Sequence, residues 1–150
     1  MFLYKLFVKG DFLSVAQLDN QLCFAVYSAS NYLTSIYRPL LEPLELTYTQ
    51  FLVLMSLWQE DQISISLLAK RTGLSKATMT PLLKRLEQKD LIRRDAIEGN
   101  DRQKSIVLTS AGRELSLQSE SITEQAFCNT GLDKAEAEQM IKLCRKLMTS

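Results

Sequence analysis

The sequence predicts a mainly α-helical chain built around a winged helix-turn-helix, with long helices at both ends. Three observations predict it. Apolar residues recur at spacings of three and four over most of the 150 residues. Between Leu91 and Leu108 the period changes, around the turn-forming run Glu98-Gly99-Asn100-Asp101. Just before that hairpin, Ile65 to Leu82 has the small residue, the glycine and the apolar positions of two short helices joined by a tight turn. The length points to one domain, large enough to bury roughly two-thirds of its unfolded surface.

Residues 1–17 open the chain. MFLYKLFVKGDFLSV is apolar but interrupted by Lys5, Lys9 and Asp11. It has no unbroken apolar core of signal-peptide length and no small-residue cleavage site. Nothing in the chain approaches the roughly 18 apolar residues of a membrane span, so no membrane partner is expected. The segment reads either as an arm packing on a partner chain or as a poorly ordered terminus.

A helix follows from about Leu18 to Leu41. Leu18, Leu22, Val26, Ala29, Leu33, Ile36 and Leu40 form one apolar stripe, and Pro39 and Pro43 mark a ragged end. Thr47 and Gln50 make a capping box that opens a buried helix, Phe51 to Trp58. Ser64 caps Ile65 to Thr72, and Gly73 ends it. Ser75 caps a helix to about Asp90, in which Pro81 should produce a bend. Leu91 to Ala96 and Lys104 to Leu108 are the two strands. Thr109 begins a helix to about Phe127, Cys128-Asn129-Thr130-Gly131 breaks it, and Asp133 with Glu136 caps a last helix to about Leu147. The lobe at 47–108 is thus flanked by helices at 18–46 and 109–150.

Composition narrows the chemistry. Hydrophobic residues are 46% and charged residues 23%, as in an ordinary soluble domain. There is no histidine, which removes the usual zinc, haem and non-haem iron ligand sets along with Ser-His and Cys-His catalysis; no metal and no cofactor are expected. Three scattered cysteines do not make a secreted disulfide framework, so the reducing cytoplasm is the expected compartment.

The net charge of +1 argues at first against a nucleic-acid partner. Its distribution argues the other way. From Lys70 to Lys104 there are ten Lys/Arg and five Asp/Glu, a local +5, while the remaining residues carry −4. The positive charge lies on the segment that would meet phosphates. Leu68, Leu74, Met79 and Leu82 are apolar where the helix pair must pack, and Ala69 is small where the helices cross. That leaves Ser75, Lys76, Ala77, Thr78 and Thr80 at the start of the second helix, side chains that can enter a major groove. Lys84 and Arg85, further along that helix, complete the candidate DNA-binding set. At the hairpin tip Arg102, with Asn100 and Asp101, is the candidate phosphate or minor-groove probe.

The cysteines differ in setting. Cys23 lies one turn into the first helix, roughly 100° from the centre of the apolar stripe, on its flank. Helix N-termini favour thiolates, Asp19 opposes this, and Tyr27 one turn on can supply a hydrogen bond. On these grounds alone Cys23 reads as a half-buried structural thiol with reactivity as the alternative. Cys128 sits at a helix end in a polar segment and should be reachable. Cys144 falls on the stripe Ala137, Met140, Ile141, Leu147 and should be core.

Four segments carry a family resemblance: LDNQLCFAVYSAS, YRPLLEPLELTYTQFLVLMSLW, TMTPLLKRLEQKDLIRR and NDRQKSIVLTSAGREL. Together they resemble the organic hydroperoxide resistance regulators, a branch of the MarR family of winged-helix repressors, from about Leu18 to Leu115. TPLLKRLE and DRQ with its following LT mark MarR proteins generally; LDNQLCF and YRPLL with LTY mark the peroxide-sensing branch. The resemblance implies a cytoplasmic homodimer with interlocked terminal helices and double-stranded operator DNA as partner. It implies that organic hydroperoxide oxidises Cys23 to a sulfenic acid, that tyrosines matching Tyr37 and Tyr48 hydrogen-bond the thiol across the dimer, and that Tyr27 matches a third nearby tyrosine. In a two-cysteine subgroup a late cysteine resolves the sulfenate as an intersubunit disulfide; Cys128, 105 residues after Cys23, occupies such a place. One departure stands in the wing, where Asn100 replaces the family's frequent Asp two residues before the Arg.

The expected function is therefore a peroxide-sensing repressor and not an enzyme. Two alternatives stay open at this stage. One is a MarR-type repressor responding to a small aromatic ligand without cysteine chemistry. The other is a small thiol peroxidase, against which the winged-helix residues count.

Overall fold

The structure, a computed structural model, describes residues 17–97 and 100–149, without the side chains of 97 and 100–103. The arm at 1–16 and the Glu98-Gly99 turn lie outside the described residues, as do the side chains of Asn100, Asp101 and Arg102. The chain order is α1 (Leu22–Leu41), α2 (Tyr48–Gln59), β1 (Ile63–Ser64), α3 (Ile65–Thr72), α4 (Lys76–Gln88), β2 (Ile92–Ile97), β3 (Asn100–Leu108), α5 (Ser110–Glu114), α6 (Ser116–Cys128) and α7 (Lys134–Met148).

Local signals set most of these ends. Thr47 and Gln50 form the reciprocal capping box of α2, and Asp133 and Glu136 that of α7. Ser64, Ser75 and Thr109 each accept a hydrogen bond from the backbone N–H three residues on, at the starts of α3, α4 and α5. Gly73 ends α3 at φ 68°, a conformation a side chain resists. Pro39 lies inside α1, and Pro43 falls in the 3-10 turn Glu42–Leu44 that follows it.

Three expectations need correction. The first helix does not begin at Leu18: Leu18–Asn20 is a separate 3-10 turn and Gln21 is extended. No side chain caps α1 there, so nothing carries the helix further back. The helix after Thr109 is two helices, parted at Leu115. Finally, β1 was not foreseen; its two residues pair antiparallel with β3, Ile63 to Ile106 and Ser64 to Ser105. The sheet order is β1-β3-β2, with β2 and β3 antiparallel from Ile92–Leu108 to Ala96–Lys104 and an irregularity at Ala96/Ile97. Pro81 is accommodated inside α4, which runs on to Gln88.

The core sits in the central lobe. Phe51, Leu54 and Leu57 of α2, Leu68 of α3, Met79, Leu83 and Leu86 of α4, and Ile92 and Ile106 of the sheet are essentially inaccessible. Each such side chain contributes about 1.5–3 kcal/mol by burial. The outer helices differ. Of α1 only Leu41 is buried, of α6 only Ile122 and Ala126, and of α7 nothing. Leu18, Leu22 and Val26 of the predicted stripe are exposed, as are Ile141, Leu143 and Leu147 of α7. Cys144 is exposed too, contrary to the expected core position. The stripe is real but unevenly covered: Ala29, Leu33, Ile36 and Leu40 are half-buried, whereas among the described residues nothing covers its first part, Leu18, Leu22 and Val26.

The lobe is locked to the C-terminal helices at one close approach. Gly112 is buried, and a Cβ there would overlap the Leu91 carbonyl oxygen. Replacing Gly112 by Ala should destabilise the fold by about 3 kcal/mol or more, because the obstruction is backbone. Gly73→Ala, which meets open space and only the left-handed strain, should cost about 1–2 kcal/mol. Urea denaturation of both variants checks the ranking.

Candidate functional site

The helix α4 is presented by α3 and the turn between them. Ser75 accepts from Thr78 N at 3.1 Å, and its Oγ lies 2.8 Å from Thr78 Oγ1. Thr80 Oγ1 donates to the Lys76 carbonyl at 3.2 Å. Met79, Leu82, Leu83 and Leu86 turn inward, which leaves Ser75, Lys76, Ala77, Thr78, Thr80, Lys84 and Arg85 exposed along one side. Every candidate on this helix is therefore accessible.

Pairing sorts the cations. Arg71 pairs with Glu60, Lys89 with Glu45 at 3.3 Å, Arg93 with Asp95 at 2.9 Å, Arg94 with Glu87 at 3.4 Å and Arg113 with Asp61 at 2.9 Å. Among the described residues Lys76, Lys84 and Arg85 have no such partner. Their charge is not locally neutralised, so it is available to an anionic polymer.

The base of the wing is held by residues that sequence reasoning missed. Asp61 Oδ1 accepts from the backbone N–H of Gln62 at 2.8 Å and of Leu108 at 2.9 Å; Oδ2 accepts from Arg113. Gln62 takes a left-handed φ of 61° that turns the chain here. Burial opposes the charge on Asp61, but the Leu108 N–H, the Arg113 guanidinium and the Gln62 N–H together hold its carboxyl below the usual range. Nearby, Trp58 Nε1 donates to the Gly112 carbonyl at 2.8 Å, and Thr109 Oγ1 to that of Asp90 at 2.5 Å. A lone Asp before a short β-run carries no local signal of such a role, since its partners lie 47 and 52 residues away.

The thiol site is divided in space. Cys23 is the second residue of α1 and exposed, not half-buried as its flank position suggested. Among the described residues no side chain caps α1 and no acidic residue lies in its first turn, an arrangement that leaves the positive end of the helix dipole beside Cys23. Tyr27, one turn on, is also exposed. Tyr37 and Tyr48 pack together, ring centroids 4.8 Å apart, and Tyr37 lies 6.0 Å from Phe51. Burial pushes both tyrosines above the usual phenol range, and in Tyr37 the neighbouring Tyr48 adds to this. Both hydroxyls thus stay protonated and can donate. Cys23 and Tyr37 sit on one helix, and fourteen residues at 1.5 Å each put them roughly 21 Å apart. The structure therefore does not bring Cys23 to Tyr37 and Tyr48 within one chain. Cys128 is exposed at the last residue of α6. Among the described residues no Cys, Asp and Glu cluster could hold a metal ion, and no helix is long and apolar enough to cross a membrane.

Comparison with known proteins follows the same line. The MarR family profile matches residues 46–104. The chain is 41% identical, over 83% of its length, to the HTH-type transcriptional regulator TtmR of Methylorubrum extorquens, of which it spans 64%. It is 36% identical to the organic hydroperoxide resistance transcriptional regulator of Bacillus subtilis, covering 89% of this chain and 88% of that one. Among solved structures it resembles reduced AbfR bound to DNA, a Staphylococcus epidermidis protein, at 32% identity and a TM-score of 0.73, over 88% of this chain and 90% of that one. A disulfide-formed structure of AbfR matches with a TM-score of 0.61, over 87% and 92%.

The lowered Asp61 carboxyl fixes a sign. Its stabilisation is present above the unfolded Asp value of about 3.9 and is lost as pH falls below it. Asp61→Asn should therefore cost stability at neutral pH and lose less than the parent between about pH 4 and pH 2. Urea midpoints across that range check it; parallel acid limbs would contradict the assignment.

Proposed function

The chain belongs to the MarR family of winged-helix transcriptional regulators, and on that premise we propose that it is a repressor that senses organic hydroperoxides through Cys23 and then releases its operator. Family membership sets aside the thiol peroxidase. The observation that carries the proposal is the split thiol site. Cys23 is accessible at a helix start without a side-chain cap, and of the two protonated tyrosines suited to bond a thiolate, Tyr37 stands roughly 21 Å along the same helix, with Tyr48 packed against it. A second copy supplies them, so the sensor is a property of a homodimer. The exposed apolar stripes of α1 and α7 are the surfaces such a dimer covers.

In the reduced dimer the two α4 helices enter adjacent major grooves of a palindromic site. Ser75, Lys76, Ala77, Thr78 and Thr80 meet bases and backbone, and Lys84 and Arg85 meet phosphates. Asn100, Asp101 and Arg102 bring the wing to the flanking groove. The Cys23 thiolate attacks one peroxide oxygen; an S–O bond forms, the O–O bond breaks, and the alkoxide leaves as alcohol after taking a proton. The Cys128 thiolate of the other subunit then attacks the sulfenic sulfur, forming S–S and expelling hydroxide. Disulfide geometry needs Cα atoms within about 7 Å, so any wider starting gap is closed by displacement that turns the lobes. The B. subtilis relative supports the inducer class by its name, and the reduced and disulfide-formed AbfR structures support a thiol-disulfide cycle. The function places the protein in the cytoplasm, where reducing conditions keep the resting thiols free.

Two experiments test this reading. Cys23→Ser should bind DNA normally and stay bound under cumene hydroperoxide; release by that variant would remove Cys23 as sensor. Cys128→Ser should lose the crosslinked dimer on non-reducing gels, whereas a persistent crosslink would pass the resolving role to Cys144. Separately, Lys84→Ala and Arg85→Ala should each weaken DNA binding and lower the log–log salt slope by about one unit, as expected for one phosphate contact. Anisotropy titrations between low and high salt read it.

A further inference from the structure

We infer that the Asp61–Arg113 pair is the positioning link that fixes the pitch of the wing on the C-terminal helices, and that movement of α6 reaches the wing through it. One carboxylate joins three elements: the turn after α2, the last residue of β3 and the first helix beyond the wing. Its Oδ1 holds the Leu108 N–H at 2.9 Å, and its Oδ2 holds Arg113 at 2.9 Å. Two residues later β1 pairs with β3 at Ile63–Ile106, so the wing's long strand is gripped along its edge and at its end.

On the other side of α5, Gly112 rests against the Leu91 backbone and its carbonyl accepts from Trp58. The approach is too close to admit even a Cβ, and the contact acts as a fulcrum. Arg113, the next residue, is the lever end. Between α5 and α6 stands only Leu115, itself in the helical region at φ −59° and ψ −24°, so displacement of α6 is transmitted to α5. The far end of α6 is Cys128. Arg113 is half-exposed beside the lobe, but its guanidinium is held by Asp61, which gives it a structural and not a phosphate-binding task.

The inference rests on the DNA-binding reading, and its test separates the two. The probe is a duplex selected from random-sequence DNA by the reduced full-length protein, titrated across salt with Asp61→Asn, Arg113→Gln, the double variant and Arg113→Lys. Each of the first two should lose affinity about tenfold, the equivalent of one charge-assisted hydrogen bond, with the salt slope unchanged. The double variant should lose no more than the worse single, and Arg113→Lys should recover most of the binding. Amide hydrogen exchange at Val107, Leu108 and Thr109, measured without DNA, should rise several-fold in Asp61→Asn and Arg113→Gln. Unchanged exchange, multiplicative losses in the double variant, or a slope lower by about one unit in Arg113→Gln would overturn the link. If Asp61→Asn does not fold cooperatively, the Arg113 variants carry the same comparison. A protein that selects no duplex would defeat the DNA-binding reading, and the exchange measurement would still decide the link.

Discussion

The close approach of Gly112 to the Leu91 carbonyl is the contact from which the architecture is organised. It leaves no room for a side chain, so α5 lies directly on the backbone where the hairpin begins. That proximity puts the Gly112 carbonyl within reach of Trp58, the Thr109 hydroxyl on Asp90, and Arg113 on Asp61. Three polar contacts, each joining segments far apart in sequence, converge within a few residues. They tie the lobe to the first of the C-terminal helices.

Burial is distributed unequally, and the inequality has a functional meaning. The central lobe closes its own core with the faces of α2, α3, α4 and the sheet. The outer helices do not; α7 buries nothing and α1 buries only its last residue. A lobe that is complete by itself can move as a unit. Helices that are incomplete by themselves leave apolar surface for the second copy that the proposed function requires, and the exposed thiols lie on them. Under the proposed function, chemistry at those thiols would act where packing is supplied from outside the chain, and there a few kcal/mol suffice to change which arrangement is favoured.

What could be read from the sequence was what depends on neighbours in the chain. The capping boxes at Thr47 and Asp133, the serine caps of α3 and α4 and the left-handed Gly73 stand where short-range patterns put them. The inward face of α4 followed from apolar spacing. β1 has two residues and no pattern of its own; it exists because β3 offers it an edge. Asp61, Trp58 and Gly112 owe their roles to partners some fifty residues away, which no local rule reports. Cys23 and Cys144 show a different limit. A helical stripe tells which side is apolar but not what covers it, so both thiols were placed deeper than one chain can bury them.

The electrostatic design follows from one absence and one partition. Without histidine, no side chain except cysteine has an unperturbed titration near physiological pH. The shifted groups move away from neutrality: burial carries Tyr37 and Tyr48 upward, and the partners of Asp61 carry it downward in spite of its burial. Meanwhile the basic residues that ion pairs would neutralise are set apart from Lys76, Lys84 and Arg85 of α4, which have no ion-pair partner among the described residues. The exposed face of α4 is therefore set apart from the ion pairs around the base of the wing. Under the proposed function, sulfur oxidation is the event that changes the molecule, at thiols that stand on the outer helices and away from this face.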